Sequence, residues 1–172
     1  METRDLLVVI DMQNDFITGP LGTAEAQAIV PKVKAKIEEF KKNGQPVLFT
    51  RDTHYEEYLD TQEGFYLPVE HCMKDTEGWQ IEASLWDEDA FVFDKLSFGS
   101  PELAAYIQEA ECDSVTLVGV CTDICVISNA MLIKAFDPEV LVQVDSSCCA
   151  GVTPETHENA LKAMKQCQIE IL

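Results

Sequence analysis

The chain has 172 residues, 47% of them apolar and 25% charged, with a formal net charge of −19. That is the size and composition of one soluble globular domain that buries its core without a disulfide scaffold, not of a fibrous or disordered chain. A surface this acidic repels phosphate backbones and anionic headgroups, and no apolar run nears the ~20 residues of a membrane helix, so nucleic acid and membrane are excluded as partners.

The opening residues Met1 to Asp5 show neither a basic region nor a small-residue cleavage site, so no secretion signal is expected. The seven cysteines are an odd number. Together these point to reduced thiols and a cytoplasmic protein.

Leu6–Ile10 is a continuous apolar run, the pattern of a strand buried on both faces. A loop follows, and Ala24–Lys42 reads as a helix, with Ile29, Val33, Ile37 and Phe40 at helical spacing and Asn43-Gly44 closing it. Pro46–Thr50 is the next strand. Asp52–Ser84 is a long polar stretch, and loops of that length are usually functional. Ala90–Phe93 is a third strand, and Pro101–Ala110 a helix with proline at its first turn. Ser114–Val118 is a fourth strand. It leads into a helix over Thr122–Phe136 capped by Thr122 or Asp123. Val140–Val144 is a fifth strand, Thr153–Gln166 a helix capped by Thr153, and Gln168–Leu172 a sixth strand. Strands alternating with helices imply a single three-layer α/β domain, a six-stranded, mainly parallel sheet with helices on both faces.

Ligands of open parallel sheets sit beyond the carboxyl ends of the strands. Asp11 follows the first strand; Arg51, Asp52 and His54 follow the second; Asp94 and Lys95 follow the third; Cys121, Thr122, Asp123 and Cys125 follow the fourth. Cys125 falls in a first helical turn, where free N–H groups and the positive helix end favour thiolate. From the residues alone it is either a nucleophile or a small buried hydrophobe. Asp11 and Lys95 are each ordinary singly. At one rim, Asp11 could take the thiol proton while Lys95 keeps the carboxylate ionised and in place. Asp52 and His54, two apart on an extended segment, can face one metal ion, with His71, Glu63 and Asp60 further along. The alternative is a plain polar loop. His157 reads as a surface residue, and Cys148, Cys149 and Cys167 as buried core thiols.

The motifs VVIDMQNDF at 8–16, DxH at 52–54, LPxxHC at 67–72, FxK at 93–95 and GVCTDICVxxNA at 119–130 resemble the isochorismatase-like cysteine hydrolases, and among these the nicotinamidase group, over nearly the whole chain. The resemblance implies a triad of Asp11, Lys95 and Cys125. It also implies a cis peptide at Val120–Cys121 and an oxyanion site from the backbone N–H groups of Cys121 and Cys125. It further implies one divalent metal ion, with zinc first and iron or manganese as alternatives, held by Asp52, His54 and His71. Glu63 is favoured over Asp60 as a fourth ligand. A small amide substrate and a homo-oligomeric assembly are implied too. One departure concerns the substrate ring: the tryptophan that often precedes the metal histidine is replaced here by Tyr66-Leu67-Pro68. Phe16, Leu67 and Phe98 are then the expected ring walls. Two rival readings stand beside nicotinamide hydrolysis: the same chemistry on another small amide or ureido compound, and a non-catalytic thiol or partner-binding protein.

Overall fold

A computed structural model describes residues 4–172; Met1–Thr3, part of the stretch read for a leader, lie outside them. Six parallel strands form one sheet: β1 (Asp5–Ile10), β2 (Val47–Asp52), β3 (Phe91–Lys95), β4 (Ser114–Val120), β5 (Leu141–Ala150) and β6 (Glu170–Ile171). Their spatial order is β3-β2-β1-β4-β5-β6, with every described pairing parallel. The chain starts in the middle of the sheet, builds outward one way, then returns and builds outward the other way. The reversal lies between β1 and β4, where open α/β sheets form their crevice.

The helices are α1 (Asn14–Ile17), α2 (Ala24–Lys42), α3 (Gln62–Tyr66), α4 (Pro101–Ala110), α5 (Ile127–Phe136) and α6 (Pro154–Gln166). Helix α2 buries Ile29, Val33, Ile37 and Phe40 with Leu7, Val9 and Phe49 on one face of the sheet. Helices α4, α5 and α6 bury Leu103, Ile107, Ile133, Leu161 and Met164 with Leu6, Val8 and Leu117 on the other. Alternate residues of β1 thus feed opposite cores, which is why its sequence is apolar throughout. Ser100, Thr23 and Thr153 cap their helices by accepting from Leu103, Ala26 and Thr156 N–H groups, each cap worth about 1 kcal/mol.

Several expectations need correction. The helix placed over Thr122–Phe136 begins as a π turn at Thr122–Val126, and neither Thr122 nor Asp123 caps it. The Thr122 hydroxyl meets His157 Nδ1 at 2.7 Å, and Asp123 Oδ1 accepts from Val152 N–H. His157 is therefore half-buried against α5's leading turn rather than a free surface residue. Cys148 and Cys149 are buried, but Cys167 is exposed, because it falls just beyond the last turn of α6. The fifth strand runs six residues further than its apolar stretch, to Ala150, and the sixth shortens to two residues at the sheet edge. The Asp52–Ser84 stretch contains a short 3-10 turn, Tyr58–Asp60, and α3.

Candidate active site

Four adjacent strands end at one place. Asp11 follows β1 with φ of 49° and is completely buried. Asp52 and Lys95 end β2 and β3 and are register partners across that pair. Cys125 lies in the π turn that follows β4. Strand β4 approaches β1 so closely at Gly119 that an added Cβ would stand 2.1 Å from the Ile10 carbonyl oxygen, and Gly119 has φ of 119°. Only glycine serves there, and it sets the depth at which Cys121 and Cys125 enter. The Val120–Cys121 peptide is cis.

Lys95 is the hub. Its ammonium stands 2.7 Å from Asp11 Oδ2, 3.3 Å from Asp52 Oδ1 and 3.4 Å from Cys125 Sγ, and donates to the Ser97 carbonyl at 3.1 Å. Asp11 Oδ1 accepts from the Thr50 hydroxyl at 2.7 Å, whereas Oδ2 has no hydrogen bond of good geometry among the described residues, only the ion pair. Burial raises the Asp11 carboxyl above its usual range, against the pull of Lys95. Burial also pushes the Cys125 thiol well up, Lys95 opposing and the Asp11 and Asp52 charges reinforcing it. Burial thus opposes the thiolate that the helix end alone would favour. Burial would lower the Lys95 ammonium, but Asp11, Cys125 and Asp52 raise it instead.

Next to this group, Asp52, His54, Glu63 and His71 each bring one donor atom, all within 4.8 Å of one another. Asp52 Oδ2 lies 2.9 Å from His54 Nε2 and 3.4 Å from His71 Nε2, and Glu63 Oε1 lies 3.5 Å and 3.7 Å from the same two nitrogens. The set fits a divalent ion of zinc or iron type: two imidazoles and two carboxylates. His71 Nδ1 meets the Val69 carbonyl at 2.7 Å, which places the ring proton on Nδ1 and leaves the Nε2 lone pair facing the other donors. Burial and the neighbouring Asp52 charge raise the Glu63 carboxyl, against the pull of His54, His71 and Lys95. Asp60 is exposed on the far side of the Tyr58–Asp60 turn and outside the set.

The donors sit on a loop, and polar side chains pin that loop to the sheet. Gln13 is fully buried; its Nε2 donates to the carbonyls of Asp52 and Trp79, and its Oε1 accepts from Asp52 N–H at 2.7 Å. Asp15 Oδ2 accepts from Cys72 N–H, fixing the residue after His71. Trp79 Nε1 donates to Thr53 Oγ1, and the Arg51 guanidinium lies 3.6 Å over the Trp79 ring while pairing with Asp94. The Tyr58 ring packs on both histidines, and its hydroxyl donates to the Leu67 carbonyl. On the nucleophile's side, buried Asn129 donates to the Cys125 and Phe98 carbonyls and accepts from Ser100 N–H. Sequence reasoning quoted the motifs that contain Gln13, Asp15 and Asn129 without giving these residues work. Their signal was a buried-type position, inside an apolar or loop context, occupied by an amide or acid.

Both groups open into one cleft of about 810 Å³. Phe16, Leu67, Phe98, Cys121 and Cys125 line it with Asp52, His54, Glu63 and His71. Phe16 is buried; Leu67 and Phe98 stand partly exposed at the mouth. All the site residues expected from the sequence therefore line this cleft or, like Asp11 and Lys95, lie buried beneath it.

A parallel sheet of this order, a buried acid–lysine–thiol group and a His/carboxylate cluster sharing one cleft together define a hydrolase class. Residues 5–172 match the Isochorismatase domain family, and the chain belongs to it. It is 22% identical to the nicotinamidase of Saccharomyces cerevisiae, the match covering 96% of this chain and 98% of that one. Among solved structures, a pyrazinamidase of Pyrococcus horikoshii in complex with zinc is 31% identical, with a TM-score of 0.86 over 98% of each chain. A pyrazinamidase/nicotinamidase of Streptococcus mutans is 28% identical, with a TM-score of 0.84 over 98% of this chain and 99% of that one. The enzymes of this family are hydrolases, several of them acting on amides.

Proposed function

We propose that the protein is a metal-assisted cysteine amidohydrolase that converts nicotinamide and water to nicotinate and ammonia, a reaction of NAD salvage. The observation that carries this reading is the meeting of Asp11, Lys95 and Cys125 beside the Asp52–His54–Glu63–His71 donors in one cleft. Asp11 is the base: its raised affinity for protons and its Oδ2, engaged only by Lys95, suit it to take the Cys125 proton as sulfur attacks the carboxamide carbon. The tetrahedral oxyanion rests on the Cys121 and Cys125 N–H groups. Asp11 then returns the proton to the leaving nitrogen, the C–N bond breaks, and ammonia departs, leaving a thioester on Cys125. The same carboxylate removes a proton from water, which attacks the thioester; nicotinate leaves and Sγ regains a proton. Lys95 stays charged throughout and neutralises whichever of Asp11 and Cys125 is anionic.

When bound at Asp52, His54, Glu63 and His71, a divalent ion, zinc first and iron or manganese otherwise, supplies a Lewis acid for the pyridine nitrogen. Phe16 forms one wall for the ring, with Leu67 and Phe98 at the mouth. The reading also places the protein in the cytoplasm as a homo-oligomeric single-domain enzyme. The odd number of cysteines supports a reducing setting, and light scattering tests the assembly.

The test is ammonia release from nicotinamide by purified protein, before and after chelation, with metal analysis on the same sample. Release that falls on chelation and returns with zinc, iron or manganese supports the reading. Bound metal with no release keeps the chemistry and moves the substrate to another small amide or ureido compound.

A further inference from the structure

Asp52 belongs to both halves of the site. Its Oδ1 lies 3.3 Å from the Lys95 ammonium, and its Oδ2 lies 2.9 Å and 3.4 Å from the two imidazoles. Its side chain is 3% exposed and that of Lys95 1%, so water does little to screen one from the other. Gln13 holds the Asp52 backbone at both its N–H and its carbonyl, so the carboxylate has little freedom to turn toward one partner and abandon the other.

We infer that Lys95, which is not among the metal donors, sets the metal affinity of the site through Asp52, and that the two halves are thereby coupled. The inference rests on the metal-site reading above. An ammonium on Oδ1 draws charge from the carboxylate and makes Oδ2 a poorer ligand; a cation on Oδ2 weakens the hold of Oδ1 on Lys95. The coupling is reciprocal by linkage. Asp11 competes for the same ammonium at 2.7 Å. The more firmly Asp11 holds Lys95, the more of the Asp52 charge is left for the metal. Metal loading in turn leaves Lys95 to Asp11 and Cys125, the pair that must carry negative charge during the reaction.

The sequence predicts no such link, because Asp52 and Lys95 are 43 residues apart and end different strands. Their juxtaposition is a consequence of the β2–β3 register, in which Asp52 is the direct partner of Lys95.

Zinc affinity, measured by chelator competition without any substrate, tests the inference. Lys95→Gln is expected to bind zinc about tenfold more tightly than the unmodified protein, within the usual range of coupling between sites. Asp11→Asn is expected to shift affinity the other way, since Lys95 then rests on Asp52 alone. The charge-balanced double variant Asp11→Asn with Lys95→Gln guards against failure of the single variants to fold and is expected to bind more tightly as well. Lys36→Gln removes a cation that pairs with Asp145, away from the cleft, and should leave affinity within about twofold. Unchanged affinity in both variants lacking Lys95, or an equal gain from Lys36→Gln, overturns the shared-carboxylate coupling. If the unmodified protein binds no zinc, iron or manganese, the metal-site reading fails first and the coupling with it.

Discussion

The two halves of the cleft are held in place by different means. The acid–lysine–thiol group stands on strand ends: Asp11, Lys95 and the turn carrying Cys125 are placed by β1, β3 and β4, each held by in-register pairing with its neighbour, with β1 and β4 buried and β3 at the sheet edge. The four donor residues span β2, α3 and the segment before Cys72, and three of them lie on a loop more than thirty residues long by sequence. That loop is fixed by side-chain hydrogen bonds from Gln13, Asp15 and Trp79 and by the Tyr58 ring. Parallel-sheet register positions chemistry at little local cost. A loop needs a polar clamp for each segment, and every clamp is a buried group that becomes a liability once its partner is lost. The comparison implies that the first group resists perturbation as a unit, whereas the second fails piece by piece.

The largest expected effect separates the halves outright. Cys125→Ala should lower kcat for ammonia release by roughly 10⁴-fold or more, while zinc content and melting temperature stay close to those of the unmodified protein. Retained turnover would remove Cys125 as nucleophile. His71→Ala should do the converse. Zinc affinity should fall by more than about 100-fold, while Cys125 still reacts with iodoacetamide in the metal-free state at the rate of the metal-free unmodified protein. A lost thiol reaction in that variant would show that the loop also builds the thiol's surroundings.

Gln13→Leu probes the boundary between the halves. It leaves the N–H and carbonyl of Asp52 and the Trp79 carbonyl without their partner. The expected cost is about 1–3 kcal/mol of stability and a ten- to hundredfold loss of zinc affinity, read by denaturant melts and chelator competition. Gln13→Glu, with the same shape but no amide donor, should recover little of either. A Gln13→Leu variant with normal metal affinity would show that the sheet alone places Asp52.

The smallest expected effect lies away from the cleft and serves as a reference. Asp145, on β5, is held below the usual carboxylate range: burial pushes it up, but the Ser147 hydroxyl and Lys36 outweigh that. A carboxyl that is more acidic in the folded state adds stability above its unfolded value near 3.9, and that stability is lost as pH falls through the folded value. Asp145→Asn should therefore cost under about 1 kcal/mol at neutral pH and should destabilise on acidification less steeply than the unmodified protein. Parallel acid melting curves for the two would remove Asp145 from the acid response.

Much of this architecture is written locally. The apolar runs at Leu6–Ile10 and Ser114–Val118, the helix limits at Ala24–Lys42 and Pro101–Ala110, and the caps at Ser100 and Thr153 agree with propensity, periodicity and capping rules that act over a few residues. Where local signals were weak, boundaries moved: β5 runs on through the polar residues 145–147, which bulge away from the β4 register, and Ser146 N–H donates instead to the Leu172 carbonyl before Cys149 and Ala150 rejoin β4. The start of α5 departs from a regular helix because Thr122 and Asp123 spend their side chains on α6 and its leading loop. Cys167 is exposed because it caps the end of α6, and its place between a helix and a strand did not tell which way it faces.

The sequence by itself determined which side chains follow which strands, because strand and helix periodicity are properties of neighbouring residues. It therefore also determined that an acid, a lysine, a thiol and residues of metal-ligating type belong to one rim. Only the tertiary structure decided that Asp52 faces Lys95 on one oxygen and two imidazoles on the other, that Gln13 grips its backbone, and that burial pushes the Cys125 thiol up. Those are contacts across tens of residues. They depend on strand register and on the exclusion of water, and both come into being only when the chain packs.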